Sequence, residues 1–89
     1  MKIREFRVRD LAVLSYAQGF TLWLYKAEVL HDAVSPGWFN DAHDMIMVGD
    51  VIMVSSSEGS CLLSAVTSDV EGTVRVRETG LMFAIARGG

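Results

Sequence analysis

The chain has 89 residues, 51% of them hydrophobic, with 8 glycines beside them and a formal net charge of −3. This length supports one core and excludes two, because each half would fall below the size at which chains fold without disulfides, metals or partners. Apolar residues and glycine together exceed the roughly 45–50% of ordinary soluble domains, so the composition predicts that some apolar surface meets another chain.

The first ten residues carry Lys2, Arg4, Arg7 and Arg9 against Glu5 and Asp10, with Ile3, Phe6 and Val8 in loose alternation among them. Such a segment is expected to be an edge strand or an arm on a neighbouring surface. The expected organisation is a basic N-terminal arm over residues 1–10 and a single β-rich domain over 11–87. The arm lacks the apolar run and cleavage site of a signal peptide, and synthesis in the cytoplasm is the expectation.

Leu11 to Tyr16 is an apolar run that periodicity alone does not assign, and Gln18-Gly19 supplies a turn after it. A strand is expected there. Phe20 to Tyr25 places Phe20, Leu22 and Leu24 on one face and Thr21, Trp23 and Tyr25 on the other, which predicts a strand covered on both faces. Ser35-Pro36 fits the start of a helix, with Ser35 as N-cap, and Phe39, Ala42, Met45 and Ile46 follow at helical spacing. One short helix is therefore expected near residues 36–46.

Gly49-Asp50 reads as a corner leading into a buried strand, Val51 to Val54, and Ser55 to Ser60 reads as a polar hairpin loop. Cys61 to Thr67 returns, residues 69–72 turn, and Thr73 to Arg77 alternates with both valines on one face. Thr79-Gly80 turns once more before Leu81 to Ala86, the longest apolar run, which is far short of the roughly 20 residues of a membrane-spanning helix. The predicted fold is mainly β, a small antiparallel barrel or sandwich.

Charge separates along the chain. Between Lys26 and Arg75 there is no Lys or Arg, while Glu28, Asp32, Asp41, Asp44, Asp50, Glu58, Asp69 and Glu71 are all acidic. An acidic body repels phosphate backbones, and four basic residues interrupted by acids make no stripe along a nucleic acid. Neither a nucleic-acid nor a membrane partner is expected.

Little in the sequence points to catalysis. His31-Asp32 and Asp41, His43 and Asp44 are the best metal candidates, but His43 and Asp44 are neighbours that diverge by about 100° on a helix. The serines of residues 55–60 lack a nucleophile-elbow pattern, the glycines fall one per turn rather than in a phosphate-cradling cluster, and Cys61 has no second cysteine to pair with. No catalytic residue, metal or cofactor is expected. The aromatics Trp23, Tyr25, Trp38 and Phe39 read as core or contact anchors.

Three segments carry a resemblance: Gly19-Phe20-Thr21-Leu22-Trp23-Leu24-Tyr25-Lys26, Gly37-Trp38-Phe39-Asn40-Asp41-Ala42-His43-Asp44-Met45, and Val48-Gly49-Asp50-Val51-Ile52. An aromatic Trp-x-Tyr strand, a Gly-aromatic-Phe-Asn turn and a Gly-Asp-x-Ile corner in this order resemble small bacteriophage proteins encoded among virion structural genes, in tailed phages and related prophage or gene-transfer elements. Residues 19–54 carry the likeness, with one departure: similar proteins tend to have a non-proline residue where Pro36 precedes Gly37. The resemblance implies a structural role, as a capsid decoration or cement protein or part of a head fibre or tail, with no catalytic residue to transfer.

Together these readings predict a homo-oligomer, by analogy a homotrimer, that binds the major capsid protein or another virion protein. Virion localisation after synthesis in a bacterial host follows. The candidate interface comprises Lys2, Arg4, Phe6, Arg7, Arg9, Trp23, Tyr25, Trp38 and Phe39. A small adaptor adding a peptide to an open sheet edge is the alternative.

Overall fold

A computed structural model describes residues 4–69 and 71–79. Five strands, β1 (Leu11–Ala17), β2 (Phe20–Lys26), β3 (Val51–Ser56), β4 (Gly59–Ser68) and β5 (Val74–Glu78), form one sheet in the order β1-β2-β3-β4-β5. The fold is mainly β, as the sequence predicts. The sheet is open rather than closed into a barrel, and it is mixed: β2 and β3 run parallel, with Leu22 beside Val51 and Lys26 beside Ser55.

Local chemistry makes the hairpins. Gln18 and Gly19 both take positive φ (54° and 84°), the twist-compatible geometry of a two-residue hairpin turn. Between β3 and β4, Ser56 Oγ accepts from Glu58 N and donates to Gly59 O. Asp69 Oδ1 accepts from Glu71 N and Thr73 N before β5, the side-chain mimicry for which Asp is favoured in turns.

A parallel pair cannot be joined by a tight turn, so residues 27–50 cross over one face of the sheet. This crossover contains tight 3-10 turns at Leu30–Val34 and Asn40–Ala42. The helix expected near 36–46 is thus reduced to the second of these, extended by one longer-range bond from Ile46 N to Ala42 O. Phe39, Ala42 and Ile46 are nevertheless buried while Met45 is 38% exposed, so the apolar spacing holds without a regular α-helix.

The core lies between crossover and sheet. Trp23 and Tyr25 from β2, Ile52 and Val54 from β3, and Leu63 and Ala65 from β4 meet Ala33, Phe39, Ala42 and Ile46. Burying this set supplies the fold's main driving force, at roughly 25 cal/mol per Å² of apolar surface. Bulges at Leu14 in β1 and Val66 in β4 interrupt the alternation, and both side chains are largely exposed (48% and 41%).

Candidate interaction surface

The motif residues prove to be the rivets of the crossover. Asp50 is 2% exposed, and its carboxylate accepts from Thr21 N, Trp23 Nε1 and Met47 N, each at 2.9 Å. One buried acid therefore ties the end of the crossover to β2. Gly49, at φ 96°, supplies the corner that brings Asp50 there, and Gly49 N and Asp50 O bond the Ala65 backbone of β4.

A second rivet is Asn40, whose Oδ1 accepts from Val74 N at 2.8 Å. Gly37 makes this possible. It holds φ at 79°, a conformation that other residues rarely adopt, and a Cβ there would lie 3.1 Å from Asn40 Nδ2 and press on that side chain, so the backbone favours glycine.

The described part of the basic segment, residues 4–10, lies against the domain. Arg4 Nε bonds Asp32 Oδ2 at 2.7 Å, an arrangement that raises the guanidinium pKa through the hydrogen bond and then the carboxylate charge. Arg7 N donates to the Tyr25 hydroxyl at 3.2 Å. Phe6 stacks on Tyr25, with ring centroids 5.2 Å apart, and meets Phe39 edge-on at 5.6 Å. Residues 4–10 are thus part of the single folded unit, which corrects the expectation of a separate arm reaching a neighbour.

The candidate interface residues consequently divide. Trp23, Tyr25 and Phe39 are buried in the domain's own core (6%, 2% and 1% exposed), because Asp50, Phe6 and the crossover cover this face of β2. They are not available to another chain. Trp38 packs against the core, with its Nε1 buried and lacking an acceptor among the described residues. Arg4, Arg7 and Arg9 are exposed, and Lys2 lies outside the described residues.

The surface that presents apolar groups is the other face of the sheet. The registers align Ala12, Leu24, Met53 and Leu62 in one row, and Ser15, Leu22, Val51, Ser64 and Arg77 in the next. The crossover and residues 4–10 pack on the opposite face, and the described chain is only 20 Å thick, about two packed layers at 10 Å per layer. Leu22, Leu24, Val51, Met53 and Leu62 are accordingly half-exposed, and Phe20, at 40% exposure, extends the patch. The strand alternation signals a second face of this kind, but it does not reveal which of the two the crossover covers.

No group of three or more His, Cys, Asp or Glu suited to a metal occurs among the described residues. His43 Nδ1 sits 3.0 Å from Asn40 O, and Ser68 Oγ donates to the His43 and Ile46 carbonyls. His31 and Asp32 lie on the other 3-10 turn. Burial, reinforced by Glu78, pushes the Cys61 thiol above its ordinary value of 9.0, the reverse of what an activated nucleophile requires. No helix among the described residues is long and apolar enough to cross a membrane. Comparison of the chain with protein-family models, curated proteins and solved structures finds no match in any of the three.

Proposed function

We propose that this chain is a non-enzymatic virion structural protein, a capsid decoration or cement protein that self-associates and binds the shell of a major capsid protein. The observation that carries the proposal is the half-exposed apolar face of Leu22, Leu24, Val51, Met53 and Leu62, a contiguous patch of the kind that marks contact with another protein. The resemblance of residues 19–54 to small phage proteins supplies the setting. Its motif residues Trp23, Phe39, Asn40 and Asp50 serve the fold, which accords with a module defined by its shape. Many copies on a symmetric shell gain avidity from individually weak contacts, and a homotrimer is the favoured unit.

Mass spectrometry of purified particles tests this proposal. The chain should be present at a copy number in fixed proportion to the major capsid protein, and its absence from washed particles would sink the reading. Head-fibre or tail placement would show instead as a copy number of a few per particle. A peptide-binding adaptor draws on a separate feature, the outer edge of β5, and would remain monomeric and particle-free.

A further inference from the structure

The two sides of the slab differ in charge as well as in cover. On the face away from the crossover, alternation with buried Val74 adds the exposed Arg75 and Arg77 along the β5 margin of the apolar patch, Arg77 in the row of Ser64, Val51 and Leu22. Among the described strand residues of this face, the charged ones are these two and Lys26, all cationic. The nearby carboxylates belong to the other side: Asp50 is buried under the crossover, Glu58 accepts from Leu30 N, and Glu78 shares the core-side register of Leu63. The crossover reverses the pattern. Phe39, Ala42 and Ile46 pack into the core, which leaves Asp41, Asp44 and Met45 exposed, and Met47 and Val48 follow at 64% and 60% exposure. No Lys or Arg occurs from residue 27 to 74. Arg75, Arg77, Asp41 and Asp44 have no ion-pair partner among the described residues.

We propose that the apolar face is covered by the crossover surface of a second copy. Arg75 and Arg77 of one chain then meet Asp41 and Asp44 of the next, around a centre in which Leu24 and Met53 oppose Met45, Met47 and Val48. This pairing rests on the sheet face being a contact surface and adds what covers it. Charge selects the arrangement. Two copies meeting face to face bring arginines to strands that hold no carboxylate on that side, and two crossover surfaces bring aspartates together without a cation. Face on crossover matches the two signs, and complementary charge of this kind fixes register and suppresses the wrong pairings. The apolar centre supplies affinity, with unbranched methionines adapting to the side chains opposite. Such a contact is heterologous, using a different patch on each copy, which is what a cyclic trimer requires.

Charge reversal in the purified full chain, read by sedimentation without particles, tests the pairing. Arg75→Glu with Arg77→Glu, and Asp41→Lys with Asp44→Lys, should each sediment as monomer where the natural chain is assembled. An equimolar mixture of the two variants should recover the assembly, because each restores the charge the other lacks. High salt should weaken the natural assembly by about tenfold, as expected for a few exposed ion pairs. In the natural chain, NMR on a mixture of differently labelled copies should show contacts from the Met47 methyl to the Leu24 and Met53 methyls between chains. A natural chain that stays monomeric at high micromolar concentration, no recovery in a mixture of folded variants, or no such contacts between chains overturns the proposal. Full assembly of the variant reversed at Asp41 and Asp44 overturns it in favour of a face-to-face pair. If Met53→Asp dissociates the chain while the mixture fails to recover, the face is a contact surface and the occupant is wrong. If Met53→Asp changes nothing, the reading of the face falls as well.

Discussion

At the scale of single residues, Asp50 is the position on which most depends. A carboxylate in this place satisfies three N–H donors with two acceptor oxygens. Asparagine keeps the shape but has one acceptor oxygen, so at least one donor is left facing an NH₂ group. We expect Asp50→Asn to cost about 2 kcal/mol, in line with a lost charge-assisted bond and a buried unsatisfied donor, with the loss visible as a lowered urea midpoint. Phe39→Ala, at 1% exposure and in contact with both Phe6 and Tyr25, should cost about 3–5 kcal/mol. A midpoint unchanged by that substitution would place the ring outside the core. Cys61 gives an alkaline signature. Its thiol holds the proton to higher pH in the folded chain than in the unfolded one, so its contribution is full below pH 9 and is lost as pH rises through the folded value. Stability should therefore decline more steeply above pH 9 in the natural chain than in Cys61→Ala, measured by denaturation across a pH series.

At the scale of elements, the segment 4–10 is held by an aromatic contact more than by its charges. Phe6 bridges Tyr25 and Phe39, and aromatic pairs add about 0.5–1.5 kcal/mol each beyond area burial. Phe6→Ala is thus expected to lower stability by about 2 kcal/mol independently of salt. Arg4→Ala should have a much smaller effect that fades as ionic strength rises, a contrast readable in thermal melts at low and high salt. Much of the architecture was legible in the residues themselves. The Val74 and Val76 alternation and the Phe39, Ala42 and Ile46 spacing correspond to observed features, because each is a short-range pattern, whereas the loop expected over Ser55 to Ser60 narrows to a turn at Ser57-Glu58, with Ser55 paired to Ser60 and Ser56 to Gly59 in the hairpin. The parallel seam between β2 and β3 was not legible, since alternation tells a strand which faces it has but not which strand lies beside it. That Trp23 belongs to the domain's own core rather than to an interface was not legible for a similar reason: Asp50 reads as a turn residue until the crossover brings it 27 positions back along the chain. The bulge at Leu14 explains why the run from Leu11 to Tyr16 has no clean period.

At the scale of the whole molecule, the described chain is a two-layer slab with one sheet face covered by the crossover and the other, apolar face partly exposed. An isologous or cyclic contact through that second face would place Leu24, Met53 and Leu62 at an apolar centre, with Ser15, Ser64 and Arg77 toward the rim, the anatomy of a protein interface. Met53→Asp should therefore leave the circular dichroism spectrum intact and shift sedimentation from oligomer toward monomer. Persistence of the oligomer would move the contact off this patch, for example to the exposed Tyr16 on the other face of the first hairpin. The parallel seam has a kinetic side as well. Every pairing joins consecutive strands, but the β1-β2 hairpin and the β3-β4-β5 meander close short loops, while joining them requires closing the 24 residues of the crossover. Non-local closure is the slow part of folding. Two early-forming halves that zip together late would make the Asp50 bonds to Thr21 and Trp23 among the last contacts made, and Asp50→Asn would then accelerate unfolding while scarcely slowing refolding in a denaturant-jump experiment.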